Sequence, residues 1–381
     1  MVRCPFFIFV LANKNKIMTK VIFLAGFLLF NVAAMGQTKE LLRAENWEFK
    51  PGAVEFGGVS MMKILEGNEL IRLKTVDFSD GTIEYDYLPG EKVFASMYFR
   101  WKDKEESECF YFRMEQAGHP QAMQAIQYAP IIKGVNLWNL MGYYQGNANF
   151  QAGVPIHVKL VVSGKQMRIY VNGADRPAME IPRLEGNNDH GSIVFQGQAV
   201  ISHLTVRPGQ VEGLAAAEGI DPTANDPRYI RHWQMTEPDS IPGPVDFSYN
   251  LIPDSAKVWK PIVAERRGIV NLTRLYGLGK GHRIVWLRAT IHSEEARECL
   301  LRLGFLNEVW VFINGQLLYV DKNFFGEPIA KQAGRLAIEN GLLRLPLRVG
   351  DNELMIGVGS NNFYGWGIAA RVDEMRGIEF R

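Results

Sequence analysis

The chain has 381 residues, 42 Lys plus Arg against 41 Asp plus Glu, and a net charge of +1, so it lacks the basic excess that nucleic acid or an anionic membrane surface requires. An apolar fraction of 47% suits a globular protein long enough for two domains. The 37 glycines and 18 prolines break the chain at the short intervals of β-rich folds.

Residues 1–36 read as a signal peptide with an upstream extension. Lys14, Lys16 and Lys20 give a positive region, Val21 to Phe30 an apolar run, and Ala33-Ala34-Met35-Gly36 a small-residue exit. The run is shorter than the ~20 apolar residues of a spanning helix. The mature chain is therefore expected to be secreted or periplasmic, without membrane insertion after cleavage. Cys4 to Ala12, a second apolar patch, lies upstream of Met18 as the expected true start. Cys109 and Cys299 are far apart and read as buried free thiols.

Short alternating runs separated by turn residues fill 37–208 and predict a β-sandwich. Trp138 to Met141 and Met167 to Val171 are among the expected strands, and Ser163-Gly164 marks a hairpin turn. The central stretch is Gly81 to Met114, which reads as three consecutive strands. Ile83, Tyr85, Tyr87, Met97, Phe99, Phe110 and Phe112 alternate with polar partners, so each strand has an apolar and a polar face. If the three are neighbours, Glu84, Asp86, Tyr98, Arg100, Tyr111 and Arg113 form one patch.

Glu84 and Asp86 stand ~6.5 Å apart along a strand, a spacing at which two carboxylates can act as a glycosidase pair. Arginines on the same face favour the ionised form, so an ion-pair ladder is the competing reading. Arg100, Arg113, Gln127 and Tyr128 suit the edges of sugar hydroxyls, as forked or planar polar groups. Trp101, Trp138, Tyr143 and Tyr144 could stack on apolar sugar faces, with a core position as the alternative for Trp138. The histidines are scattered and give no zinc spacing. No cofactor is expected; Asn187-Asn188-Asp189 and Asp351-Asn352-Glu353 are candidate structural calcium loops that turns explain equally well.

Residues 209–225 form a Gly-, Ala- and acid-rich linker. Residues 226–381 repeat the β pattern, including strands Ile269 to Leu275 and Val309 to Ile313 with an Asn314-Gly315 turn. Trp259, Trp310, Trp366, Tyr364 and Asn362 are sugar-contact candidates there. Gly277-Leu278-Gly279-Lys280-Gly281 lacks phosphate-loop spacing and reads as a hairpin loop.

The run Trp47, Phe49, Pro51-Gly52, Glu55-Phe56, Gly81 to Asp86, Phe110 to Arg113 and the Val158 to Gly164 hairpin resembles the concanavalin A-like lectin/glucanase sandwich. It is closest to the laminin-G-like branch with 3-keto-disaccharide hydrolase-type domains. Gly304-Phe305, Val309 to Gly315 and Gly350 to Leu354 are similar to a galactose-binding-like jelly roll. The resemblance implies an all-β chain of two β-sandwich (jelly-roll) domains joined by a linker, with an oligo- or polysaccharide as partner. The Glu-x-Asp-x-x-Glu strand of laminarinase-type enzymes is absent, because Glu84-Tyr85-Asp86 breaks at Pro89-Gly90. Glycan binding on the concave face of the first sandwich is therefore the leading expectation. A glycoside-active enzyme using Glu84 or Asp86 is the alternative.

Overall fold

The computed structural model describes residues 40–90, 94–241, 249–360 and 364–381. Residues 1–36, the expected signal peptide with its upstream extension, and Asn362 lie outside them. Antiparallel sheets make the fold, and the one α-helix among the described residues is Leu272–Tyr276, of 5 residues. No described helix is long and apolar enough to cross a membrane.

In the first sandwich, a nine-stranded sheet runs through Trp47–Glu48, Leu70–Phe78, Gly191–Gln196, Phe94–Asp103, Glu106–Arg113, Ile126–Tyr128 and Gln145–Gly146. Ile131–Ile132 pairs with Glu106–Arg113 and carries Val135–Asn136. The opposing seven-stranded sheet has Gly81–Pro89 at its centre, between Ile156–Ser163 and Ala199–Pro208. The alternating apolar residues meet between the sheets: Tyr85 packs on Phe195 and Tyr87 stacks on Phe112, with ring centroids 5.2 and 5.8 Å apart. The second sandwich sets an eight-stranded sheet, with Arg283–Ser293, Gly350–Ser360 and Asn307–Ile313 at its centre, against the four strands Ile269–Asn271, Gly367–Val372, Arg297–Phe305 and Gly341–Leu347. Leu287, Val311, Ile356, Leu301 and Ile368 belong to the core between them. Leu42–Arg381 is one compact unit.

Both expected two-residue turns form. Ser163 pairs with Gln166 across Gly164 (φ 50°), and Ile313 with Gln316 across Asn314 and Gly315 (φ 51° and 77°). Cys109 and Cys299 are buried free thiols.

Three local expectations are corrected. Gly81–Pro89 does not neighbour the next two strands: the chain leaves the seven-stranded sheet at Pro89 and enters the nine-stranded one at Phe94. Trp138 to Met141 is not a strand. Leu137, Leu140 and Met141 are buried at helical spacing, and Met141 N–H donates to Leu137 O at 2.9 Å. The strand starting at Ile269 ends at Asn271, whose side chain accepts from Arg274 N–H at 3.1 Å and caps a short helix instead.

The linker stretch is tied down. Gln210 O accepts from Thr82 Oγ1 at 2.7 Å, and Ala216 O from Lys165 N–H at 2.8 Å. Arg266 of the second sandwich donates to Gly219 O at 2.8 Å and also to Ile220 O.

Candidate functional site

Alternation on Glu106–Arg113 sends Phe110 and Phe112 into the core and leaves Tyr111 and Arg113 on the outer face of the nine-stranded sheet. Gln127 is registered opposite Tyr111, and its Oε1 accepts from Tyr111 Oη at 2.9 Å and from Arg113. Gln127 Nε2 in turn donates 2.8 Å to Trp138 O, which holds the helical turn whose outward residue is Trp138. From the second sandwich, Phe325 and Tyr364 set their rings edge-on to Trp138, centroids 4.9 and 5.5 Å away. Phe94 stands edge-on to Tyr111 at 5.7 Å. These five rings, with Arg113 and Arg335, line a cavity of about 450 Å³ between the sandwiches. That is the size of a small-molecule site, ~300–1,000 Å³.

Polar groups converge on the rings. The Arg113 and Arg335 guanidinium carbons lie 5.9 and 5.5 Å from the Trp138 centroid, within cation–π range. Arg335 donates to Gln124 Oε1 at 3.1 Å. Ser96, Asn136 and Glu115 complete the wall. Burial and, after it, the Arg113 charge pull the Arg335 pKa below the usual guanidinium value. Burial pushes the Tyr111 hydroxyl well above its ordinary pKa despite both arginines, so it is a neutral hydrogen-bonding group.

Arg335 is held by its backbone. Gln332, Ala333 and Gly334 have φ of 48°, 53° and 75°, three left-handed residues in succession. Buried Asn323 and Asn340 both donate to Arg335 O, at 3.2 and 2.9 Å. Strain of this kind, ~1–3 kcal/mol per non-glycine residue, persists where surrounding structure fixes it and clusters at ligand sites.

A second cavity of about 720 Å³ adjoins through the shared residue Asn136 and is lined by Tyr98 and Trp101. Tyr98 Oη donates to Gln196 Oε1 at 2.7 Å, and Arg72 lies 5.4 Å from the Trp101 centroid. Of the sequence candidates, Tyr98, Trp101, Tyr111, Arg113, Gln127 and Trp138 thus share one sheet face, with Gln127 buried beneath it as a positioning residue.

The other candidates are elsewhere. Glu84 and Asp86 sit in the opposite sheet, in an ion cluster. His157 places Nδ1 2.7 Å from Asp86 and Nε2 3.0 Å from Glu84, His203 Nδ1 is 2.7 Å from Asp86, and Arg207 pairs with Glu84. Burial raises the Glu84 pKa, but Arg207 and His157 outweigh it and hold the carboxyl below the usual range. A general acid needs the reverse. Arg100 is buried: a bulge after Phe99 and a φ of 47° turn it inward, where it donates to Ser79 O, Asp80 and Gly164 O at 3.0, 3.0 and 2.9 Å. Tyr128 and Tyr144 are buried against Glu108 and Glu185, and Tyr143 lies under Arg267, 4.3 Å from its ring. Trp310 and Trp366 are core; Trp259 packs against a second buried cluster.

Among the described residues no group of three or more acidic, His or Cys side chains could hold a metal ion. Asn352 in the expected calcium loop donates to Arg348 O and Gly350 O, as a turn residue does. Gly277 and Leu278 present carbonyls to Arg283, at the end of a helix rather than in a hairpin. Sequence reasoning missed Phe94, Phe325 and Arg335; adjacent aromatics in the Gly- and Pro-containing loop Phe324-Phe325-Gly326-Glu327-Pro328 were the only available signal.

No family model and no curated protein matches the chain. It is similar to the carbohydrate-binding module CBM66 from Bacillus subtilis at 14% identity and a TM-score of 0.33, over 42% of this chain and 95% of that one. Bacillus licheniformis beta-glucanase matches at 10% identity and TM-score 0.32, over 46% of this chain and 100% of that one. Galectin LEC-6 from Caenorhabditis elegans matches at 18% identity and TM-score 0.27, over 43% and 97%.

Proposed function

We propose that this is an exported carbohydrate-binding protein whose oligo- or polysaccharide ligand sits in the cavity between the sandwiches and extends along the outer sheet face past Tyr98 and Trp101. The observation that carries the reading is the half-buried Trp138, ringed by Tyr111, Phe94, Phe325 and Tyr364 and flanked by two guanidinium groups. A pyranose has C–H faces that pack on rings and an equatorial rim of hydroxyls that forked donors and acceptors engage. In the opposite sheet, Arg207 and His157 hold the Glu84 carboxyl below the usual range, the reverse of what a general acid needs. Affinity electrophoresis of the mature chain against polysaccharides of several linkages tests the reading. Mobility should be retarded by at least one polymer, and Trp138→Ala should weaken that by roughly tenfold or more, as loss of a central aromatic contact does. Equal retardation of the variant, or none of the wild type, contradicts it.

A further inference from the structure

The two cavity arginines lack the carboxylate partners that many arginines elsewhere in the chain have. Arg72, Arg207, Arg274 and Arg302 each meet a carboxylate. Arg113 and Arg335 meet none within 4.0 Å among the described residues. Their hydrogen-bond acceptors are neutral: Tyr111 Oη and Gln127 Oε1 for Arg113, and Gln124 Oε1 and Gln332 O for Arg335. Arg113 is 7% exposed, and the Nε atoms of both are buried without a hydrogen-bond partner. Glu115, the single carboxylate on the cavity wall, is exposed and pairs with neither.

Like charges held together out of water are costly unless an anion joins them. Here both guanidinium groups are held beforehand, Arg113 by Gln127, and Arg335 by Gln124 and Gln332 O on a backbone that the left-handed turn and the two asparagines pin. Two pre-positioned forks beside an aromatic platform suit a ligand with a planar or tetrahedral oxyanion attached to an apolar-faced ring. The chain as a whole is nearly neutral, so overall charge gives no general attraction for polyanions.

We propose that the cavity selects an acidic saccharide, with a carboxylate or sulfate oxyanion bound by Arg113 and Arg335 and the sugar ring lying on Trp138. This rests on the carbohydrate-binding reading above and narrows its ligand class. The uronate carboxylate and the sulfate ester share the oxyanion chemistry and are separated by experiment.

The test measures binding of the mature full-length chain to a uronic-acid polymer and its carboxyl-reduced counterpart, and to a sulfated galactan and its desulfated counterpart. The acidic member of one pair should bind roughly thirtyfold or more tightly than its neutral partner, with affinity falling as salt rises. Arg335→Gln should bring the acidic polymer down to the neutral one's affinity, Arg335→Lys should restore part of the preference, and the thermal midpoints of both variants should stay near wild type. Arg113→Gln is the less secure variant, because Arg113 is packed into the sheet face. Preference within the uronate pair assigns the carboxylate; preference within the sulfated pair assigns the sulfate. If neutral and acidic partners bind equally, the oxyanion inference is overturned while saccharide binding stands. If no polymer of either pair binds, the oxyanion inference falls, and retardation by the wider set of polysaccharides decides whether saccharide binding stands.

Discussion

Glu108 lies on the inward face of its strand, where Tyr128 Oη donates to it at 2.6 Å and Gly186 N–H at 3.2 Å. Burial pushes its carboxyl up to about 7 from an ordinary 4.5, against the opposing pull of Tyr128 and Arg100. Below pH 4.5 both the folded and unfolded chains hold this proton. Between 4.5 and about 7 only the folded chain does, so stability falls as pH rises through that window and levels off above it. A shift of this size amounts to about 3 kcal/mol. Glu108→Gln keeps the acceptor for Tyr128, so denaturant midpoints at pH 5 and pH 8 should differ less in the variant; an unchanged difference would mean that other groups set the slope. Glu84 has the opposite sign. Its contribution is present above 4.5 and is lost as pH falls through its lowered pKa. Glu84→Gln should therefore blunt acid unfolding and leave polysaccharide retardation unchanged; loss of retardation would put the ligand at the Glu84 cluster.

The elements show which part of the chain's pattern carries three-dimensional information. Period-two alternation correctly sorted Tyr85 and Phe112 inward and Tyr111 outward, because the pleat ties side-chain direction to sequence. It could not say which sheet a strand joins. Gly81–Pro89 finds its partners in Ile156–Ser163 and Ala199–Pro208, distant segments that nothing local to the strand specifies. Arg100 was misread for a different reason, a single bulge residue that reverses its face. Tyr111 and Arg113 were legible as neighbours because alternation on one strand puts both on one sheet face, whereas Trp138 joins them from a helical turn that reads in the sequence as a strand. Arg335 reaches Gln124 from 211 residues away, out of a left-handed turn that has no periodicity. That turn is open to test. A Cβ on Gly334 would stand 2.6 Å from the Phe325 Cα, at a φ of +75°. Gly334→Ala should cost about 1–3 kcal/mol in a thermal melt and weaken ligand binding, since it displaces Phe325 from Trp138. A variant of wild-type stability and affinity would show that the turn is not pinned.

At the scale of the whole molecule, the two sandwiches are joined through the cavity and on either side of it. Leu336 N–H donates to Asn139 O at 2.8 Å, and Arg274 donates to Glu185 O at 2.9 Å and Asn187 Oδ1 at 2.6 Å. The linker carbonyls on Arg266 close the same seam. Such coupling predicts one calorimetric transition whose measured enthalpy equals its van't Hoff value, where two separated transitions would signal independent sandwiches. It also means that the proposed ligand site exists only when both are in place. Hydrogen exchange of the full-length chain, with and without a retarding polysaccharide, addresses that site most directly. Protection is expected together in residues 124–138 and 325–335. Protection confined to residues 82–87, 157–159 and 202–207, around Glu84 and Asp86, would contradict it.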